Sequence, residues 1–259
     1  MGATANLVFN AVMLKQMKKR HWWIAAFGLF CAVLALGALN YDRIPGAEFM
    51  IQKIRGKATV ADRIEQYGAV ARARWRPYFE RKGVAYPPQK LVLVGLKQEK
   101  RLEVYAPDSS QKMQLIRSFP VLGASGKLGP KLRFGDMQVP EGFYRIESLN
   151  PNSAFHLALR VSYPNDFDKA QAQKEARTEL GSDIMIHGSN ASIGCLAMGD
   201  EVAEDLFVLA AQTGREKIRV ILSPVDFRTA DIPFDVTRPT WARPLYAQIK
   251  TALLKLPSR

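Results

Sequence analysis

From Pro87-Pro88 onward the chain consists of short runs rich in Val, Leu, Ile, Tyr and Phe, separated by turn residues, and this texture limits the fold more than any other feature. Runs of that length and composition are strands. They are predicted near 91–97, 101–106, 114–121, 142–148, 156–163, 184–188 and 218–225. Within 157–161 the pattern alternates, with Leu157, Leu159 and Val161 on one face and His156, Ala158, Arg160 and Ser162 on the other. That is a half-buried antiparallel strand, and it makes His156 a surface or network histidine.

Helical periodicity is confined to the flanks. Val60, Ile64, Tyr67, Ala71, Trp75, Tyr78 and Phe79 recur at spacings of three and four, so an amphipathic helix starts at Thr59 or Asp62 and ends near Lys82-Gly83. Its other face carries Arg63, Arg72, Arg74 and Arg76 and is read as solvated. Gly199-Asp200 opens a second helix that buries Val202, Leu206, Leu209 and Ala210 and stops at Thr213-Gly214. A last helix, about 240–256, carries Trp241, Leu245, Ile249, Leu253 and Leu254. The polar segment 165–180 has few apolar anchors and is expected to be a mobile loop with some helix, a candidate lid. The fold class is mainly β with flanking helices, α+β.

Residues 22–39 carry no charge and are long enough to cross a bilayer. Lys15, Lys18, Lys19 and Arg20 precede them, which keeps that end in the cytoplasm and exports the rest. A cleaved signal peptide is the alternative, but its apolar region is shorter, about 7 to 15 residues, and Val33-Leu34-Ala35 fits its cleavage pattern only in part. The expected division is a basic cytoplasmic tail at 1–21, a transmembrane signal anchor at 22–39, a linker with an amphipathic helix at 40–86, a catalytic domain at 87–226 and a helical extension at 227–259.

Net charge is +13. A nucleic-acid partner is not indicated, because there is no zinc-finger spacing, RNA-binding signature or helix-turn-helix punctuation, and the Lys and Arg residues beyond the N-terminal flank are scattered. Attraction to anionic lipid or acidic wall polymer is the modest inference. The loop from Gly123 to Lys131 is no phosphate cradle either: Gly126-Lys127 is followed by Leu128-Gly129-Pro130 rather than by Ser or Thr opening a helix. It is read as structural, with Lys127, Lys131 and Arg133 able to face an acidic substrate.

Cys195 is the one cysteine outside the apolar N-terminal run, where Cys31 lies. An exported domain with a single thiol forms no internal disulfide, so the thiol needs another reason to be there. His187 stands eight residues earlier, at the end of the short apolar run Ile184-Met185-Ile186, and the polar loop between them lets the chain turn back. An imidazole that reaches the sulfur activates it as a nucleophile. Gly194 frees the backbone to offer its own N–H and that of Cys195 to an oxyanion. A buried, inert Cys is the competing reading. A papain-like protease has the opposite order of Cys and His, and one His with one Cys leaves a zinc sphere mostly unfilled. No cofactor and no metal are expected.

His187-Gly188 through Ser192-Ile193-Gly194-Cys195-Leu196-Ala197-Met198 resembles the catalytic motif of YkuD-type L,D-transpeptidases. Lys97 to Tyr105, Ser125 to Leu132, Gly135 to Tyr144, Leu149 to Ser153 and Tyr163 to Asp168 extend the likeness to the YafK-like branch, over about 90–226. The resemblance implies a sandwich-like β domain in which Cys195 is the nucleophile, His187 the general base and acid, and a backbone carbonyl orients the imidazole. It also implies a thioester at the L-centre carbonyl of meso-diaminopimelate in peptidoglycan stem peptides. Many members read Ser-His-Gly-Cys-x-Arg, whereas this chain has Ile193 for that His and Ala197 for that Arg, so recognition of the substrate carboxylate differs. Lys131 and Tyr163 are nominated as substrate contacts. The branch includes a hydrolase that frees wall-linked lipoprotein, so a hydrolase is the alternative to a transpeptidase; a catalytically silent wall-binding protein is the alternative from another class. The expected partners are stem peptides, the inner membrane and wall-linked lipoprotein, with the domain in the periplasm.

Overall fold

The computed structural model describes residues 56–232 and 238–258. The basic tail and the apolar run at 22–39 lie outside them. Among the described residues no helix is long and apolar enough to cross a membrane.

Helix α1 (Val60–Arg81) opens on a capping box in which Thr59 Oγ accepts from Asp62 N and Asp62 accepts from Thr59 N. It buries Ala71, Trp75 and Phe79. The Trp75 ring meets Phe79 and Phe119 edge-on at 5.7 Å, and its indole N–H donates to Asp205 O at 2.8 Å. The arginine face is only partly solvated. Arg74 pairs with Asp205 at 2.7 Å and Arg63 donates to Pro151 O, so two of the cations dock the helix.

Strands β1 (Leu91–Leu96), β2 (Arg101–Pro107) and β3 (Met113–Pro120) form an antiparallel meander. β4 (Gly142–Ser153) and β5 (His156–Val161) follow, then helix α2 (Asp166–Lys174) and the short strands β6 (Met185–His187) and β7 (Leu196–Ala197). Helix α3 (Asp200–Thr213) leads through a 3-10 turn to β8 (Ile218–Ser223), and helix α4 (Ala242–Leu253) is last.

All eight strands join one mixed sheet in the order β3-β2-β1-β8-β4-β5-β6-β7. The expected mainly β domain with flanking helices is thus built, with the sandwich-like part taking the form of one continuous sheet that bends. β4 makes the difference. Its first residues pair with β8 and the remainder with β5, with register shifts between Ile146 and Ser148 and again before Ser153, where irregularities bend a strand. Its ends are joined: beyond β3, Leu122 N donates to Ala197 O at 2.8 Å and Ala197 N donates to Gly123 O at 2.9 Å. Gly95 on β1 leaves the room that Leu222 and Leu196 side chains occupy, so β7 packs across the interior onto β1.

One apolar cluster fills the space between α1, α3 and the sheet, and a second lies between β1, β8 and α4. Ile249 and Leu253 of α4 are fully buried in the second, each contributing about 1.5–3 kcal/mol of transfer free energy. The described residues from 58 onward form one compact unit.

The segment expected to be a mobile lid contains a capped helix. Asn165 and Asp168 form the capping box of α2. Trp241 packs on Phe167 at 5.6 Å and donates to Glu175, while Arg177 donates to Leu132 O at 2.7 Å. Three anchors hold it down.

Candidate active site

β6 and β7 run parallel, with Ile186 opposite Leu196 and His187 opposite Ala197. Because side chains alternate along a strand, Ile186 and Leu196 point into the core while His187 and Cys195 share the other face. Carried one residue back, that register sets Cys195, the residue just before β7, level with Met185, two residues before His187. Its neighbours across β6 and β5 on that face are Met185 and Arg160, which are themselves paired.

His187 is buried, and its ring stacks on Phe155 at 4.8 Å. Nδ1 lies 2.6 Å from Gly188 O. A carbonyl only accepts, so Nδ1 carries the proton and Nε2 keeps its lone pair. Burial pushes the imidazole below the usual histidine range, and the Gly188 bond offsets part of that. Gly188 has no room for a side chain, since a Cβ would lie 2.5 Å from Asp200 Oδ1 and 2.8 Å from Phe155 O.

The sulfur of Cys195 is half-buried. It faces Asp183 O at 3.5 Å, and the Met185 N–H points at it. Burial pushes the thiol up; the Met185 N–H and Lys131 pull it down, and the Asp183 carboxylate adds to the rise. Among the described residues no hydrogen bond joins the sulfur to the imidazole. The direction of both shifts favours the uncharged forms, thiol for Cys195 and imidazole for His187.

The two N–H groups expected to be free for an oxyanion are engaged. Gly194 N donates to Ser125 Oγ at 2.6 Å and Cys195 N donates to Ser192 Oγ at 2.9 Å. Ser192 also donates to Cys195 O at 2.6 Å, closing the turn. Gly194 has φ 91°, a left-handed conformation natural to glycine. Neither serine was singled out from the sequence, because a hydroxyl on a loop carries no periodic signal.

Lys131 and Tyr163, expected to touch substrate, are both buried. Lys131 Nζ is 2.6 Å from Asp136 Oδ1 and donates to Arg133 O. Asp136 also accepts from the backbone N–H groups of Leu132, Arg133 and Gln138. Burial raises its carboxyl, but Lys131 and these donors outweigh that and hold it below the usual range. Tyr163 lies in the core, its hydroxyl donating to Leu180 O at 3.2 Å. Lys131 is therefore held by Asp136, while Tyr163, although its hydroxyl is tied to Leu180 O, also lines the cavity beside Arg145 and Arg160.

The loop 123–141 that supplies Ser125 is fixed from behind. Glu141 accepts from Lys97 Nζ at 2.8 Å, from Gly129 N at 2.7 Å and from the Tyr246 hydroxyl of α4. His156 is a network residue, with Nε2 3.0 Å from Glu204 and its ring edge-on to Tyr67.

A family model described as the L,D-transpeptidase catalytic domain, YkuD, matches residues 89–222. An Escherichia coli (strain K12) protein whose name assigns it as an L,D-transpeptidase, YafK, is 35% identical over 140 residues, covering 52% of this chain and 53% of that protein. The chain thus spans about half the length of the curated relatives it matches. Among solved structures, the helical cell shape determining protein Pgp2 from Campylobacter jejuni aligns with a TM-score of 0.44 and 23% identity, over 56% of this chain and 50% of that one. Bd1075 from Bdellovibrio bacteriovorus aligns with a TM-score of 0.37 and 21% identity, over 64% and 55%.

Proposed function

Since this chain belongs to the YkuD family of L,D-transpeptidase catalytic domains, we propose that it is a peptidoglycan-modifying cysteine enzyme of the bacterial cell envelope, with Cys195 as nucleophile and His187 as general base and acid. One observation carries the reading: His187 and Cys195 share a face of adjacent strands while Gly188 O holds the Nδ1 proton and leaves Nε2 basic.

In the proposed reaction Cys195 rotates from Asp183 O toward Nε2, and His187 takes the S–H proton as the sulfur attacks the L-centre carbonyl of diaminopimelate. The C–S bond forms and the oxyanion takes the Gly194 N–H as the Ser125 hydroxyl moves aside. Collapse breaks the C–N bond, and His187 returns its proton to the departing amine. The thioester then passes its acyl group to an incoming amine, which gives a transpeptidase and regenerates the thiol. Water in place of the amine gives a hydrolase, with wall-linked lipoprotein as its substrate. Activation by a base at the moment of attack suits the uncharged forms of thiol and imidazole better than a standing ion pair. The apolar run at 22–39 is the proposed inner-membrane anchor that keeps the domain in the periplasm.

The test is to incubate the full chain and its Cys195→Ala variant with tetrapeptide muropeptides and with lipoprotein-linked sacculi, and to read products by mass spectrometry. A cross-linked or exchanged muropeptide, or released lipoprotein, made only by the wild type is the expected result. Absence of any Cys195-dependent product in both assays overturns the reading and leaves a wall-binding role.

A further inference from the structure

Arg145 on β4 and Arg219 on β8 are direct cross-strand partners, and both side chains are exposed. Partners in such a ladder have Cα atoms about 5 Å apart, and like charges placed there destabilise a sheet. Here nothing internal answers them. Neither guanidinium has an ion pair or hydrogen bond with any other described residue.

The two arginines line a cavity of about 770 Å³ that also contains Arg160, Lys169, Glu147 and Asp166. The acids in it are already committed. Arg160 is 3.0 Å from Glu147, and Lys169 is 4.0 Å from Asp166. What the cavity has left over is the positive charge of Arg145 and Arg219.

Its lining ends one residue short of the cysteine's neighbour Asp183. Ser182 is part of the lining, and Arg160, also in it, reaches Asp183 Oδ1 at 3.3 Å, the residue whose carbonyl faces Cys195 Sγ. Arg145 on β4 and Arg160 on β5 lie on one face, and the register carried one residue back from β7 sets Cys195 on it as well. From β4 to β7 is three strand spacings, roughly 15 Å. An extended peptide of about four residues covers that distance.

We propose that Arg145 and Arg219 form an anion subsite that holds a carboxylate of an extended acidic peptide whose reacting carbonyl lies at Cys195. The assignment rests on the enzymatic reading above for the identity of the peptide, the wall's stem peptide. It places carboxylate recognition on β4 and β8, away from Ala197.

The experiment uses the full chain carrying Cys195→Ala, so that nothing turns over, titrated calorimetrically with a stem tetrapeptide and with the same peptide amidated at its carboxylates. The acid form is expected to bind about tenfold tighter, the scale of one charge-assisted contact. High salt should erode that preference. Arg145→Gln with Arg219→Gln should abolish it, while the corresponding double Lys variant keeps most of it. Because the Gln pair relieves a repulsion, its melting temperature should not fall, which separates lost binding from lost folding. Equal binding of acid and amide by the parent, or an undiminished preference in the Gln pair, overturns the proposal. So does arginine-dependent binding to anionic lipid vesicles with no preference for the acid peptide, which assigns the subsite to a headgroup. The two readings can fail separately: Cys195-dependent product with an unchanged acid-to-amide ratio sinks only the subsite. An arginine-dependent ratio without any product sinks only the enzyme.

Discussion

Burial raises the Cys195 thiol and lowers the His187 imidazole, so both shifts favour the uncharged form. For His187 the sign means that the basic form persists to lower pH than the ordinary histidine value of about 6.5. For Cys195 it means that thiolate accumulates only above the ordinary thiol value of about 8.5. Alkylation of Cys195 by iodoacetamide should therefore accelerate through an inflection on the alkaline side of that value, whereas kcat/KM should rise through an inflection below about 6.5 and then level off. Lys131→Met should move the alkylation inflection higher and Asp183→Asn should move it lower, because the first removes a charge that favours thiolate and the second one that opposes it. An inflection near neutrality, or shifts of the wrong sign, would show that thiolate is already paired with imidazolium at rest. At this scale the sequence draws attention where chemistry is rare: one thiol and one histidine in a short stretch, which the structure places on neighbouring strands. For Lys131 and Tyr163 a motif records only that a residue type belongs somewhere; their burial against Asp136 and Leu180 O is decided by the surrounding packing.

The strands and flanking helices are the elements whose pattern spoke plainly. β1, β2, β3, β5 and β8 are apolar runs with turn residues at their ends, and α1, α3 and α4 keep a three-to-four period over several turns. β7 was not legible, since two residues are too few to show alternation and its pairing is with His187 and Gly123 rather than with a neighbour in sequence. α2 was missed as an ordered element for a different reason. Its stripe is weak, and its order comes from an Asn165 cap and from Trp241, which belongs to a distant part of the chain. Trp241→Ala should raise amide hydrogen exchange across residues 166–174 well before it changes exchange in β1 or β8. Uniform acceleration through the whole domain would mean that Trp241 supports the global fold instead.

The position of β8 between β1 and β4 is a property of the whole molecule that no local pattern carries. It is set by which apolar faces fit together once α1, α3 and α4 cover the sheet. α4 closes the second apolar cluster and reaches Glu141, which in turn braces the loop that bears Ser125. Removing residues 242–259 should leave a chain without a cooperative thermal transition and prone to aggregate, read by calorimetry and light scattering. A truncated chain that melts sharply near the parental temperature would count against that coupling. The late arrival of β8 also governs how such a protein can be born. A ribosome that has made everything up to α3 has made a sheet with its middle missing, so β1 and β4 each keep an unpaired edge until Ile218–Ser223 emerges to join them.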